Sequence, residues 1–203
     1  MRKLVVSMNV TLDGFLAGPN GELNWHFPLW NGEMAGCAET QLRTMDTILV
    51  GRITYETMAA YWPRAPRGDF ANMMNGYTKI VFSKTLKKVE WVNSVLMSEN
   101  IEAEVSALKA QAGKGIIIYG SASIVRTLMK LGLIDEYRIW MHPIFIGKGK
   151  TLFKEVHQNI TLQLIRTKRF GSGVMLLYYV PLTIKKHYQR NGNLIHTLNT
   201  HDE

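Results

Sequence analysis

The stretch Gly115-Ile-Ile-Ile-Tyr-Gly-Ser-Ala-Ser-Ile124 decides the fold of this chain. Ile116 to Tyr119 is apolar throughout, which is typical of a strand that is buried on both faces of a sheet. Small residues follow from Gly120, and from Ser123 to Leu131 apolar residues recur at helical spacing. The stretch therefore predicts a central strand that turns sharply into a helix.

The same alternation of strand and helix runs through about the first 140 residues. The patterns predict strands at 4–10, 48–50, 78–82, 89–97, 116–119 and 134–142, helices at 33–45, 51–60, 101–112 and 123–131, and loops at 11–31 and 62–76. Two last strands, 160–170 and 174–180, flank Gly171-Ser-Gly173, which favours a hairpin. The predicted fold class is α/β, with a mainly parallel central sheet flanked by helices and a C-terminal antiparallel hairpin.

The composition is that of one globular domain followed by a tail. The 203 residues are 46% hydrophobic and 20% charged, and we expect a domain at 1–181 and a polar, mobile tail at 182–203. The apolar runs are too short to span a membrane, and the first residues resemble a strand more than a signal peptide. Cys37 is the one cysteine, which agrees with a reducing, cytoplasmic location.

The net charge of +8 lies mostly in the second half of the chain. Such a basic half could indicate nucleic acid or an anionic ligand, but the lysines and arginines are dispersed. Our interpretation is solvated surface charge without nucleic-acid binding. Three of the six histidines, at 187, 196 and 201, lie in the tail at irregular spacing, so we predict no metal site.

Three predicted strands end in small or cationic residues. Gly120 to Ser123 follows one strand, Gly51 and Arg52 follow another, and Ser83 and Lys84 follow a third. A helix start attracts anions, and an arginine there is explained best if an anion lies beside it. A tight turn with a serine cap is the simpler alternative. Ligands bind at the carboxyl ends of parallel strands, so these ends together suggest a polyphosphate ligand such as a dinucleotide.

These motifs resemble the dihydrofolate reductase fold, and more closely its relatives, the reductase domain of bacterial riboflavin biosynthesis. The stretches that carry the resemblance are Val50-Gly-Arg-Ile-Thr-Tyr-Glu56, Ile80-Val-Phe-Ser-Lys84 and Ile117-Ile-Tyr-Gly-Ser-Ala-Ser123, with Ser7-Met-Asn-Val-Thr-Leu-Asp-Gly-Phe-Leu-Ala17, Leu133-Ile-Asp-Glu-Tyr-Arg-Ile139 and Gly147-Lys-Gly-Lys-Thr-Leu-Phe153. The similarity covers about residues 2–180.

The resemblance implies an NADPH site at the edge of the sheet. It implies that Arg52, Ser83 and Lys84 face the ribose 2′-phosphate, and that Ala17 lies near the nicotinamide. It also implies a pyrophosphate site built from two strand–helix junctions, namely Gly51, Thr54, Tyr119, Gly120, Ser121, Ala122 and Ser123. Two cations and a hydroxyl suit an extra phosphate, which favours NADPH over NADH.

The substrate side departs from dihydrofolate reductases. Trp25-His-Phe-Pro28 is similar to their Trp-x-x-Pro, but Trp30 stands where they place the carboxylate that holds the pterin. Asn9 would flank the ring pocket by resemblance, and Trp25 and Trp30 could stack on a flat substrate or pack in the core. Asp13 is the candidate catalytic carboxylate, with a role in organising a turn as the alternative.

The sequence thus predicts an NADPH-dependent oxidoreductase that transfers a hydride to a small heterocyclic substrate, similar to a pterin or a riboflavin precursor. A nucleotide-binding regulatory protein without turnover is the alternative, and a basic half that engages nucleic acid is another. The family resemblance also implies a homodimer.

Overall fold

The computed structural model describes residues 1–152 and 159–182, together with the backbone of two short strands beyond them. Five α-helices are described: α1 Gly32–Arg43, α2 Arg52–Tyr61, α3 Asp69–Gly76, α4 Ile101–Ala110 and α5 Ala122–Lys130. The strands are β1 Leu4–Thr11, β2 Phe15–Ala17, β3 Met45–Gly51, β4 Thr78–Phe82, β5 Ser94–Met97, β6 Gly115–Gly120, β7 Glu136–His142, β8 Lys150–Thr151, β9 Leu162–Arg169, β10 Met175–Pro181, β11 Lys185–Tyr188 and β12 Leu194–Thr197.

Eight of these strands form one sheet in the order β5-β4-β3-β6-β1-β7-β10-β9. The pairs from β5 to β7 are all parallel, whereas β10 runs antiparallel to both β7 and β9. The α/β class with a mainly parallel sheet and a C-terminal hairpin is therefore confirmed. Gly115 to Gly120 is a central strand, as its apolar sequence predicts, and its three isoleucines are fully buried.

Each face of the sheet is covered by its own helices. Alternate residues of β1, such as Leu4 and Val6, share a hydrophobic cluster with α4 and α5. Val5 points the other way and packs in a cluster with residues of α1, α2 and α3. A third cluster joins α1 to Trp140 and to the β9–β10 hairpin. The functional side chains of β1 lie on the second of these faces.

Two of the sequence-based element predictions are wrong. The stretch 62–76 was expected to be a loop, but α3 occupies its second half, and Ala71 and Met74 are buried there. The predicted strand at 89–97 is shorter, because only Ser94–Met97 pairs with β4. Asn93 has a positive φ of 59°, and Trp91 turns into the core instead of continuing a strand.

The predicted tail lies largely outside the described residues. Within it, β11 and β12 pair in an antiparallel manner. The boundary of the domain at 181 and the mobility of the tail stay predictions.

Candidate functional site

Two strand–helix junctions lie against each other at the carboxyl edge of the sheet. A Cβ atom placed on Gly51 would lie 2.6 Å from the Ser121 hydroxyl oxygen. One placed on Gly120 would lie 2.7 Å from the Thr54 hydroxyl oxygen. Gly120 has a φ of +136°, which side chains other than glycine rarely adopt. The two glycines thus let the starts of α2 and α5 pack directly against each other.

Neither helix start is capped by a side chain. Gly51 precedes α2 and has no side chain to cap it. Ser121 precedes α5, but its hydroxyl is 2.6 Å from the hydroxyl of Ser123 and makes no capping hydrogen bond. The sequence alternative of a serine cap is therefore not what the structure has. Unbonded backbone N–H groups and two helix dipoles meet at this point, and they favour an anion.

Cationic and hydroxyl groups follow the neighbouring strand ends. Gly51 pairs with Phe82 across β3 and β4, so Arg52 and Ser83 follow at neighbouring strand ends. Arg52 is exposed and its guanidinium lies 3.1 Å from Glu56 one turn along α2. The Ser83 hydroxyl accepts hydrogen bonds from the backbone of Thr85 and Leu86. Lys84 is exposed.

A small cavity opens beside the junctions on the face covered by α1. Its volume is about 80 Å³. Its lining comes from β1, α1, α3, β6 and β7 and from Trp30, which precedes α1: Ser7, Asn9, Trp30, Ala38, Gln41, Phe70, Tyr119 and Trp140. Trp30 partly closes it, with its ring centroid 5.7 Å from that of Trp140. The described residues that line the cavity include no carboxylate, so a group that needs an acidic partner finds none among them.

Beside the cavity, His142 is fully buried and contacts Asn9. The His142 Nε2 atom lies 3.1 Å from the Asn9 side-chain oxygen, while its Nδ1 has no hydrogen-bond partner among the described residues. Burial, with a smaller contribution from His26, lowers the pKa of His142 to about 4. The ring is therefore neutral at pH 7, and a tautomer with its proton on Nε2 can donate to the Asn9 oxygen.

Of the predicted substrate contacts, the structure brings Asn9 and Trp30 to the cavity. Trp25 is buried behind it and packs edge-on against His142, with ring centroids 5.1 Å apart. Tyr119, expected at the cofactor, lines the cavity. Burial raises the pKa of its hydroxyl, which keeps that group protonated.

Asp13 lies in the turn after β1 and Ala17 lies in β2, and both contact the segment that follows β7. The Asp13 carboxylate accepts hydrogen bonds from the backbone N–H groups of Ile146 at 3.0 Å and Gly147 at 2.8 Å. Burial opposes its ionisation, but these bonds and one from Thr11 hold its pKa below the usual value. Ala17 pairs with Lys150 in the β2–β8 ribbon. These contacts are those of a loop organiser, and a catalytic role of Asp13 stays a prediction.

Several residues of the site were missed by sequence reasoning. They are Ser7, Ala38, Gln41, Phe70, Trp140 and His142. A signal existed in β1, because Ser7, Asn9 and Thr11 place polar groups at alternate positions of an otherwise apolar strand. The contribution of β7 could not be read in this way, because it depends on which strands become neighbours.

The described ranges contain no group of three or more potential metal ligands close enough to share an ion. Within the same ranges, every helix is too short or too polar to cross a bilayer.

Known proteins share both the sequence pattern and the fold. The sequence profile of the family described as the RibD C-terminal domain matches residues 2–176. The chain is 36% identical over 182 residues to the uncharacterized protein YyaP of Bacillus subtilis (strain 168), covering 88% of this chain and 94% of that protein.

Two solved structures show the same fold at lower identity. One is a Shewanella sp. PV-4 protein whose name refers to riboflavin biosynthesis, with a TM-score of 0.72 and 20% identity, covering 88% of this chain and 98% of the other. The second is the dihydrofolate reductase of Enterococcus faecalis in complex with NADP(H), with a TM-score of 0.60 and 20% identity over 88% of this chain and 96% of that one. The chain therefore belongs to the family of the RibD C-terminal domain.

Proposed function

We propose that this protein is an NADPH-dependent reductase that transfers a hydride to a small heterocyclic or carbonyl-type substrate. The observation that carries the proposal is the contact between the two uncapped strand–helix junctions. A pyrophosphate has two adjacent charged groups, and here two helix starts offer unbonded N–H groups side by side. The cavity that opens next to them is suited to a second, uncharged ligand.

The residues present fit the cofactor. The close approach of the two junctions depends on Gly51 and Gly120, because a Cβ on either would meet the side chain of Ser121 or Thr54. At these junctions, the pyrophosphate would be held by the backbone from Gly120 to Ser123 and by Thr54. Arg52, Ser83 and Lys84 would bind the 2′-phosphate, Tyr119 would lie between cofactor and substrate, and Ala17 would lie near the nicotinamide.

The reductant supplies a hydride when it is bound, and the protein's part is to orient the acceptor and to exclude water. Asn9 would hold a polar edge of the substrate and Trp30 would cover its ring. Asp13 would act from the loop above, where it fixes the position of residues 146 and 147. Protonation by water is sufficient, because the cavity is partly open to solvent past Trp30, whose exposed fraction is 37%.

The cofactor proposal is tested by titrating the protein with NADPH and NADH, followed by fluorescence. We expect selective NADPH binding in the wild type and a loss of about tenfold or more in Arg52→Ala, with NADH unaffected, because a charge-assisted bond to phosphate is removed. Arg64→Ala is the matched control, since Arg64 is exposed and its one hydrogen bond to a described residue goes to the carbonyl of Ala60 at the far end of α2. Equal binding of both nucleotides in all three proteins would refute the proposal.

A nucleotide-binding regulator without turnover is the second candidate. The observation that favours it is the carboxylate-free cavity, whose volume of about 80 Å³ is below the roughly 150 Å³ that holds a benzene ring. Loss of NADPH absorbance in the presence of electron acceptors distinguishes the reductase from the regulator.

We also propose that the protein is a homodimer, as the family resemblance implies. In support, the edge strand β9 leaves Leu164 and Ile165 about half exposed, at 47% and 51%. Light scattering measures the mass directly.

A further inference from the structure

The ion pair between Arg52 and Glu56 is arranged against the electrostatics of the helix that carries it. Arg52 is the first residue of α2, and Glu56 lies one turn further along. The N-terminus of a helix carries positive partial charge, which favours an acid there and disfavours a base. Pairs with the acid first are also the stronger ones in helices. The pair in α2 has the opposite order and therefore stabilises the helix little.

A pair in α1 has the stabilising order. Glu39 precedes Arg43, which lies in the last turn, and their side chains are 2.7 Å apart. Arg43 also bonds Asp69 of α3, so this pair helps to join two helices. Among the described residues, by contrast, the side chains of Arg52 and Glu56 form hydrogen bonds only with each other. Neither helix stability nor the joining of helices explains the pair in α2.

The contact between the two side chains leaves one edge of the guanidinium open. Both oxygens of Glu56 accept from Nη1 of Arg52, at 3.1 and 3.3 Å. The Nε and Nη2 groups donate to none of the described residues. They lie on the same edge of the guanidinium and donate in parallel, which is the geometry that binds two phosphate oxygens at once. Glu56 thus holds Arg52 at one corner without using the edge that suits a phosphate.

We infer that Glu56 is a positioning residue, which holds the guanidinium of Arg52 ready for the 2′-phosphate of NADPH and so increases the preference for NADPH over NADH. This role rests on the proposed reductase function and adds a residue to its cofactor site. The side chain of Arg52 is 44% exposed, and without a partner it would sample many rotamers that binding must then restrict. A guanidinium that is held before the cofactor arrives has less of this freedom to lose.

Glu56 also has an opposing effect, because its carboxylate repels the phosphate. At about 6 Å through solvent, and at physiological salt, this repulsion weakens binding by roughly threefold. Removal of the charge and removal of the hydrogen-bond acceptor therefore act in opposite directions. Glutamine and alanine separate the two effects, because both remove the charge and only glutamine keeps an oxygen that can accept from Nη1.

The experiment titrates the full chain carrying Glu56→Gln or Glu56→Ala with NADPH and with NADH, followed by fluorescence. We expect the glutamine variant to bind NADPH about threefold more tightly than the alanine variant, the value of a modest hydrogen bond. Both should bind NADH equally, because it has no 2′-phosphate. Alanine favours helices at least as much as glutamine does, so weaker binding would not reflect a less stable α2. Equal affinities for NADPH, or tighter binding by the alanine variant, would overturn the inference.

Two controls separate the hold on Arg52 from other effects of Glu56. In an Arg52→Ala background the glutamine and alanine variants should bind NADPH equally, because the group that Glu56 holds is gone. The same two substitutions at Glu39 remove the helix pair of α1 and should leave NADPH binding unchanged. A difference that persists without Arg52, or one of equal size at Glu39, would overturn the positioning role.

The cofactor proposal and the role of Glu56 fail in different ways. Selective NADPH binding that depends on Arg52, with equal affinities of the two Glu56 variants, would leave the reductase proposal in place and refute the role of Glu56. Wild-type protein that binds NADPH no better than NADH would refute the cofactor proposal, and the role of Glu56 with it.

Discussion

Acid should destabilise this protein through His142. The ring is fully buried, and burial lowers its pKa from 6.5 to about 4. Below about pH 6.5 the unfolded chain takes up a proton that the folded protein excludes, so stability falls as the pH falls toward 4. Below that pH the folded ring is protonated too, and this contribution changes no further. Between pH 7 and 4.5 the shift corresponds to a loss of roughly 2 kcal/mol.

The measurement is urea unfolding of the wild type and of His142→Gln at pH 7 and pH 4.5. Other groups also titrate in this range. They contribute equally to both proteins, so the difference between the two pH effects isolates His142. We expect the variant to lose roughly 2 kcal/mol less than the wild type. The reasoning is refuted if both lose the same amount, because the buried ring would then not be the group that resists protonation.

Two further predictions concern Gly120 and Lys79. Gly120→Ala should lower the free energy of unfolding by roughly 1–3 kcal/mol and abolish nucleotide binding, because Gly120 has a φ of +136° and the added carbon would lie 2.7 Å from the Thr54 hydroxyl oxygen. Thermal unfolding and NADPH titration check this prediction. A variant that is as stable as the wild type and still binds NADPH would contradict it. Lys79 is fully buried and donates to the carbonyls of Met74 and Asn75, and burial lowers its pKa to about 8. The unfolded chain keeps this proton up to about pH 10.5, whereas the folded protein loses it near pH 8. Between pH 7 and 10 the free energy of unfolding of the wild type should therefore rise by roughly 2 kcal/mol relative to that of Lys79→Met. The same pH dependence of unfolding in both proteins would argue against this.

The parallel sheet could be predicted from the sequence because local apolar patterns identify its strands. Residues 115–120 and 48–50 are continuous apolar runs, and Gly171 to Gly173 marks the hairpin. The helix α3 could not be predicted, because the prolines and glycine just before it are typical of a loop. Its buried face consists of Ala71 and Met74 alone, which is too short a period to recognise.

The two strand–helix junctions were also accessible from the sequence. Small residues directly after a strand indicate that another group lies close to the backbone there, and this holds whatever the rest of the chain does. The contacts of Gly51 with Ser121 and of Gly120 with Thr54 agree with this. The cavity was less accessible, since Asn9 meets His142 only because β1 lies beside β7. Neighbours in a sheet are set by packing of the whole domain, and a single sequence without homologues does not report them.

The position of β1 has a consequence for how the protein is made. Its partners are β6 and β7, with Leu4 opposite Ile116 and Val5 opposite Glu136. After β1 has been synthesised, it must therefore wait for more than a hundred further residues before both partners exist, on the order of ten seconds of synthesis. During that time the apolar segment from Leu4 to Val10 does not yet have both strands with which it pairs. The nascent chain is thus most vulnerable to aggregation and most dependent on chaperones before residue 142 emerges. A chain that stalls before that point would lack β7, which supplies Trp140 to the cavity.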